Sequence, residues 1–269
     1  MRTALLCGRE HTVLGGVSAI AEGSTAIAIS RGGASKTYAH RDPNEDAAAF
    51  AASPQGVAIA VADGHAGHRA SEVALERLLE VHAERWLYGD ANGLKEGWRE
   101  GVADVLLDLN HAVLASATRG GGQSTRTTLA VAIARPGDDL LAFFSMGDSH
   151  IFDVRPDGVI EHAAAGDTRI TFLGHPAEDR ERLRRKYRAD VTSLGDSRAL
   201  VLATDGLSET GIGVANPAEA IAVCAAECDR KQPDLRPLGM ARGLVERALE
   251  AQRVQRAGDN VATAVAWLR

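Results

Sequence analysis

The chain has 269 residues, 45 % of them hydrophobic and 25 % charged, an ordinary composition for a globular protein with a sizeable buried core. Thirty basic residues against 36 acidic ones leave a formal net charge of −6, which argues against a general binder of nucleic-acid backbone, because such proteins depend on a basic face. No apolar stretch approaches the roughly 20 residues of a membrane-spanning helix, and the N-terminus lacks a charged segment followed by an apolar core, so the expectation is a cytoplasmic protein with no membrane partner.

In chain order, Thr3 to Cys7 and Thr25 to Ser30 read as strands joined by turns. The loop Gly32-Gly33-Ala34-Ser35-Lys36-Thr37 resembles a nucleotide-binding P-loop but fails the test, since Ser35 stands where a glycine must precede the lysine and no strong helix follows. Arg41-Asp42-Pro43-Asn44-Glu45-Asp46 crowds charge just before the apolar run Ala47 to Ala52. Taken alone it reads as a solvated turn. Val57 to Ala62 is a Val- and Ile-containing run bounded by glycine, expected as a strand covered on both faces, and it ends in Asp63-Gly64-His65.

Leu75, Leu78, Leu79, His82 and Trp86 then recur at helical spacing, and a second stripe from Leu94 to Val113 marks another helix that stops before Gly120-Gly121-Gly122. His82, Trp86 and Trp98 lie on these apolar stripes and read as core residues. The period next changes to two: Thr127 to Ala134, Leu140 to Met146, Ile151 to Arg155 and Val159 to His162, with turns short enough for antiparallel hairpins. Met146-Gly147-Asp148-Ser149 interrupts two of these strands. Residues 176 to 190 are dense in charge and read as a solvated surface excursion.

Ala199 to Thr204 forms a further buried strand ending in Asp205-Gly206. A helix follows with Asn216 as N-cap, Pro217 at its first position and Glu219 placed for a reciprocal capping box. Leu238, Ala241, Leu244, Val245, Ala248 and Leu249 define the last helix, and Asp259-Asn260 opens the strand Val261 to Leu268. Cys7, Cys224 and Cys228 are too few for a disulfide framework and read as buried thiols. With no repeat or linker, the whole chain is expected as one α+β domain of helices covering largely antiparallel sheets.

Five aspartates, Asp46, Asp63, Asp148, Asp205 and Asp259, fall at the ends of predicted apolar strands. A single Asp-Gly pair is usually a turn, but several carboxylates brought together at sheet ends repel one another unless they are protonated or share a cation. All-oxygen ligation without supporting cysteines or paired histidines points to magnesium or manganese. Two such ions would make a hydrolytic centre suited to phosphoesters.

Arg41 with Asn44-Glu45-Asp46, Asp63-Gly64-His65-Ala66-Gly67, Thr127-Thr128-Leu129, Gly147-Asp148-Ser149, Thr204-Asp205-Gly206-Leu207 and Asp259-Asn260 follow the order of blocks in the metal-dependent type 2C protein serine/threonine phosphatases, which the chain resembles over nearly its whole length. The resemblance implies a four-layer αββα sandwich, two central, mainly antiparallel sheets flanked by helix pairs, with a variable flap at about 163–192. It implies two Mn2+ or Mg2+ ions bridged by Asp63, one also bound by the Gly64 carbonyl and the other by Asp205 and Asp259, and a weaker third site at Asp148 and Asp205. Glu45 and Asp46 would act through waters on the metals. Arg41 would grip the substrate phosphate and His65 would protonate the leaving oxygen, while a water bridging the metals attacks phosphorus. The implied partner is a phosphorylated serine or threonine protein, and the implied state a monomer.

Three positions depart from the family pattern: Arg126 stands for a glycine before the paired threonines, His150 for an arginine after Gly-Asp-Ser, and Ala66 where glycine is frequent. They bear on local backbone geometry and substrate preference. Gly195-Asp196-Ser197-Arg198 copies the Gly-Asp-Ser block but is expected to be only the turn into the Asp205 strand. Two alternatives share the fold: a pseudophosphatase acting as a binding module, and a phosphomonoesterase for small molecules.

Overall fold

The computed structural model describes residues 1–119, 124–163, 171–176 and 178–269, and its centre is a pair of six-stranded sheets. The first runs in the order β1 (Arg2–Cys7), β4 (Ala47–Ala52), β5 (Val57–Ala62), β8 (Leu129–Arg135), β9 (Leu140–Met146) and β12 (Arg188–Thr192). The second runs β11 (Gly158–Ala163), β10 (His150–Arg155), β13 (Ala199–Ala203), β14 (Val261–Trp267), β3 (Thr25–Ser30) and β2 (Ser18–Glu22). The ladders within both sheets are antiparallel.

Period-two alternation assigns every inner strand two faces. On β5, Ala58, Ala60 and Ala62 turn toward the helices, whereas Val57, Ile59 and Val61 turn toward the other sheet. On β14, Ala262, Ala264 and Ala266 enter the space between the sheets, while Val261, Val265 and Trp267 meet the opposite helix pair. Three stacked cores result, and the outer two are closed by helices.

On one side lie α1 (Arg69–Arg77), α2 (Ala83–Tyr88) and α3 (Ala91–Arg119), with Trp86, Trp98 and Phe144 in the apolar layer beneath them. On the other, α5 (Pro217–Asp229) and α6 (Arg236–Gln255) bury Cys224, Cys228, Met240, Leu244 and Leu249 against the second sheet. This is the expected four-layer α+β sandwich. All three cysteines are free and buried. Among the described residues, no helix is long and apolar enough to cross a membrane.

Four local features depart from the sequence reading. The helix expected through Leu75–Trp86 is broken by a π turn at Leu78–His82, whose extra residue swings His82 out of the stripe to bond Asp108 at 2.9 Å. The strand expected from Thr127 starts later: Arg126–Thr127 (β7) leaves the sheet to form a two-residue ribbon with Gly64–His65 (β6). The charged excursion at 176–190 contains the short helix α4 (Arg180–Arg184) and leads into β12 on the sheet edge. The Asn216 cap does accept from the Glu219 N–H at 3.2 Å, but the return bond runs between the two side chains instead of to the backbone. Residues 164–170 and 177 of the expected flap, and the Gly120–Gly122 loop, lie outside the described residues.

Candidate active site

The strand ends that the sequence singled out meet at one edge of the sandwich. β4 and β5 are paired neighbours, as are β13 and β14, and the two pairs face each other across the central core. Asp46 therefore precedes a strand beside the one that delivers Asp63, and Asp205 leaves β13 where Asp259 approaches β14. Asp148 comes from the turn between β9 and β10, which crosses from one sheet to the other.

Side-chain bonds fix these turns to one another. Asn260 Oδ1 accepts from the Glu45 N–H at 2.9 Å, and its amide donates to the carbonyls of Arg31 and Pro43, both at 2.9 Å. The Asp46 carboxylate accepts from the Thr204 hydroxyl at 2.7 Å, joining the two sheets. Thr128 Oγ1 accepts from the Asp63 N–H at 3.1 Å and lies 3.0 Å from Ser149 Oγ, while the Thr127 hydroxyl donates to the Asp63 carbonyl at 2.9 Å. The paired threonines thus anchor Asp63 and tie it to the Asp148 turn. Gly64 passes so close to the Glu45 carbonyl that a Cβ there would lie 2.3 Å from its oxygen.

Glu45, Asp63, Gly64, His65, Asp148, Asp205 and Asp259 all line one cavity of about 210 Å³, together with Lys36, Tyr38 and Glu209. Carboxylate oxygens of Asp63, Asp148 and Asp205 come within 4.8 Å of one another, and so do those of Asp205, Glu209 and Asp259. Asp46 stands behind this group, buried, with its bond to Thr204. Glu45 turns its carboxylate to the backbone N–H groups of Arg41 and Asp42, at 3.1 and 3.0 Å.

Burial, and after it the repulsion among neighbouring carboxylates, pushes the pKa values of Asp46, Asp148, Asp205 and Asp259 upward. The same causes push Glu209 up to about 7. Asp148 Oδ1 is buried without any hydrogen-bond partner. An orphaned buried carboxylate oxygen inside a cluster of hard oxygen donors fits a divalent cation well. For His65, burial works against the charged imidazolium, but Asp63, whose Oδ2 lies 3.3 Å from Nε2, outweighs it and raises the pKa. Phe172 meets the His65 ring edge-on, with centroids 4.4 Å apart.

Beside this cavity lies a wider one of about 590 Å³ lined by Ala39, His40, Arg41, His65, Ala66, Ser124, Arg126 and Phe172. His65 and Ala66 form the shared wall. Arg41 and Arg126 make its rim cationic, a place that attracts an anion beside the carboxylate centre. Asp196, the copy of the block set aside from sequence, lies elsewhere and pairs with Arg155 at 3.8 Å.

Three lining residues escaped the sequence reading. Glu209 carried a usable signal: it sits four residues after Asp205, and its N–H donates to the Asp205 carbonyl at 2.7 Å in a helical turn, which sets both side chains on one side. Lys36 and Tyr38 carried none, since their loop reaches the site only through tertiary contacts.

The chain is thus a two-sheet sandwich clad by helices, with a strand-end carboxylate cluster beside a cationic cavity. A family model for protein phosphatase 2C matches residues 32–236, and the chain belongs to that family, whose members are phosphoprotein phosphatases. Among solved structures it is similar to a bacterial serine phosphatase (TM-score 0.63, 17 % identity, covering 92 % of this chain and 98 % of the other). It is also similar to the serine-threonine phosphatase 2C of Toxoplasma gondii (TM-score 0.63, 15 % identity, 100 % and 99 % covered). A third relative in structure is the catalytic domain of the serine/threonine protein phosphatase PstP in complex with two manganese ions (TM-score 0.60, 19 % identity, 94 % and 99 % covered). No curated protein matches the chain in sequence.

Proposed function

We propose that this chain is an active Mn2+- or Mg2+-dependent protein phosphatase that hydrolyses phosphoserine and phosphothreonine. The observation that carries the reading is the convergence of carboxylate residues from five separate strand ends in one cavity whose wall, at His65, is shared with the arginine-rimmed one. In this reading Asp63, the Gly64 carbonyl, Asp205 and Asp259 hold two divalent cations. Asp148 and Asp205 would offer a third, weaker place, and Glu209, whose carboxylate lies within 4.8 Å of those of Asp205 and Asp259, would add a donor to theirs. Asp46 and Glu45 act behind them through water. When bound, such cations lower the pKa of a water and offset negative charge on the phosphoryl group.

The remaining work falls to the chain's own side chains. Arg41 presents a guanidinium fork to two phosphate oxygens, and Arg126 adds charge on the same rim. His65 holds a proton on Nε2 against Asp63 and passes it to the seryl or threonyl oxygen as the bond from that oxygen to phosphorus breaks. The incoming water oxygen stays with the phosphate, so no phosphoenzyme forms. We read residues 1–269 as one catalytic domain acting as a monomer, with a variable flap at about 163–192, of which Phe172 lines the wider cavity.

Hydrolysis of an aryl phosphate and of a phosphothreonine peptide, each with and without MnCl2, tests the proposal. Manganese-dependent turnover of both is expected. Turnover of neither would leave a binding module on a phosphatase fold, and turnover of the aryl ester alone would favour a small-molecule substrate.

A further inference from the structure

Lys36 belongs to the loop that resembled a P-loop, yet the fold sends it elsewhere. Gly33 donates its N–H to Gln252 Oε1 at 2.7 Å, and Gln252 in turn donates to the carbonyls of Gly206 and Asp259. Ser35 accepts from the Gly258 N–H at 3.1 Å, and Lys36 forms a parallel bridge with Gly258. A Cβ on Gly258 would lie 1.8 Å from the Ala34 carbonyl oxygen, so the two segments touch backbone to backbone. These clamps aim the Lys36 side chain inward.

The lysine side chain is 5 % exposed, and its Nζ lies 3.2 Å from Asp259 Oδ1. The Tyr38 hydroxyl donates to that same oxygen, as does the Asn260 N–H at 2.7 Å. Among the described residues lining the carboxylate cavity, Lys36 carries the one ammonium or guanidinium group. An oxygen already taken by three donors is a poor ligand for a divalent ion, and a fixed ammonium beside it repels such an ion directly.

Resting on the metal-centre reading above, we propose that Lys36, seated by Tyr38, is a built-in competing cation that weakens divalent-ion binding at the Asp205–Asp259 half of the site. Without metal, the ammonium relieves carboxylate repulsion. With metal, it makes occupancy of that half conditional on ion concentration, whereas the place offered by Asp63 and the Gly64 carbonyl would fill first.

The test is calorimetric titration of the chelator-treated full chain with MnCl2, paired with thermal melts in EDTA and in MnCl2. Wild type should show a tight and a weak step, and Lys36→Met should tighten the weak step about tenfold while leaving the tight one in place. Lys36→Met should also melt below wild type in EDTA and recover in MnCl2, whereas Lys36→Arg should keep the wild-type titration. Tyr38→Phe, which removes a single hydroxyl, should tighten the weak step by about threefold and guards against failure of the lysine variants to fold. Unchanged titrations, with a melting loss equal in EDTA and MnCl2, would mean a merely structural strap and overturn the proposal. Asp63→Asn separates the two readings. Manganese binding that survives Asp63→Asn unchanged refutes the metal centre itself, whereas binding lost there but unaltered in Lys36→Met and Tyr38→Phe refutes only the role of Lys36.

Discussion

Ala66 holds a backbone φ of +63°, next to His65 and in the left-handed region that costs a residue with a Cβ roughly 1–2 kcal/mol. Glycine would relieve this strain but would add freedom to the unfolded chain worth about 0.4–1 kcal/mol. Ala66→Gly should therefore stabilise by about 0.5–1 kcal/mol, read as a rise of a few degrees in melting temperature, and a fall would show that the methyl group makes compensating contacts. His150, the second departure, has its own account: Nδ1 bonds Glu161 at 2.6 Å and Nε2 meets the Ser208 hydroxyl, so the imidazole ties β10 and β11 to the turn that follows Asp205. His65 is tested through its leaving group. His65→Ala should slow a phosphothreonine peptide by about 10²–10⁴-fold but an aryl phosphate far less, since an aryl oxide departs without a proton. Equal losses on both substrates would remove the acid role from His65.

At the scale of elements, α1 and α3 are clasped by Asp108, whose carboxylate accepts from Arg77 Nε and Nη2 at 2.9 and 2.8 Å and contacts His82 Nε2 at 2.9 Å. Arg77 and His82 bracket the π turn, so its extra residue is what brings both to one carboxylate. The bonds from Arg77, then those from His82, hold the Asp108 pKa below its ordinary value despite some burial. A depressed carboxyl stabilises above the unfolded pKa, near 3.9, and loses that contribution as pH falls through the lower folded value. Asp108→Asn should thus melt below wild type at pH 7, with the gap closing as pH falls below about 4; a gap that persists at pH 2.5 would point to lost hydrogen bonds and not to charge. Helical periodicity announced the two helices but not this clasp, because a π turn leaves no mark in a stripe of Leu75, Leu78 and Leu79. The ribbon of β6 and β7 was hidden for a related reason. Thr127-Thr128 suits a strand, but their hydroxyls are spent on Asp63, and that long-range bond pulls the first residues out of the sheet.

Across the whole molecule, the sandwich was legible because the inner strands are short apolar runs, several of them (among these β4, β5, β9, β13 and β14) with a carboxylate within two residues of one end, and runs such as Val57–Ala62 and Val261–Trp267 are buried throughout. Two edge strands, Ser18–Glu22 and Arg188–Thr192, were not: the latter is partly exposed and polar, with only its hydrogen bonds to β9 to mark it. The carboxylates were legible one by one, whereas Lys36 and Tyr38 depend on how the loop after β3 meets the entry to β14. One consequence concerns the molecule as a unit. With Asp46, Asp148, Asp205 and Asp259 raised and Glu209 at about 7, the folded protein free of metal holds more protons than the unfolded chain between the ordinary carboxylate range and neutrality. Raised folded pKa values give stability that is full below the unfolded values and is lost as pH climbs through the folded ones. Chelated protein should therefore melt lower at pH 7.5 than at pH 5.5. MnCl2 at about 100 times the dissociation constant measured at about pH 7.5 should restore roughly 2.7 kcal/mol, or about 5–10 °C, at that pH, and the same concentration should restore less at about pH 5.5, where protons compete for the carboxylates. Thermal melts at both pH values, in EDTA and in MnCl2, decide the matter: a chelated protein indifferent to pH, or a manganese shift of the same size at both, would mean that carboxylate repulsion does not set the stability of this site.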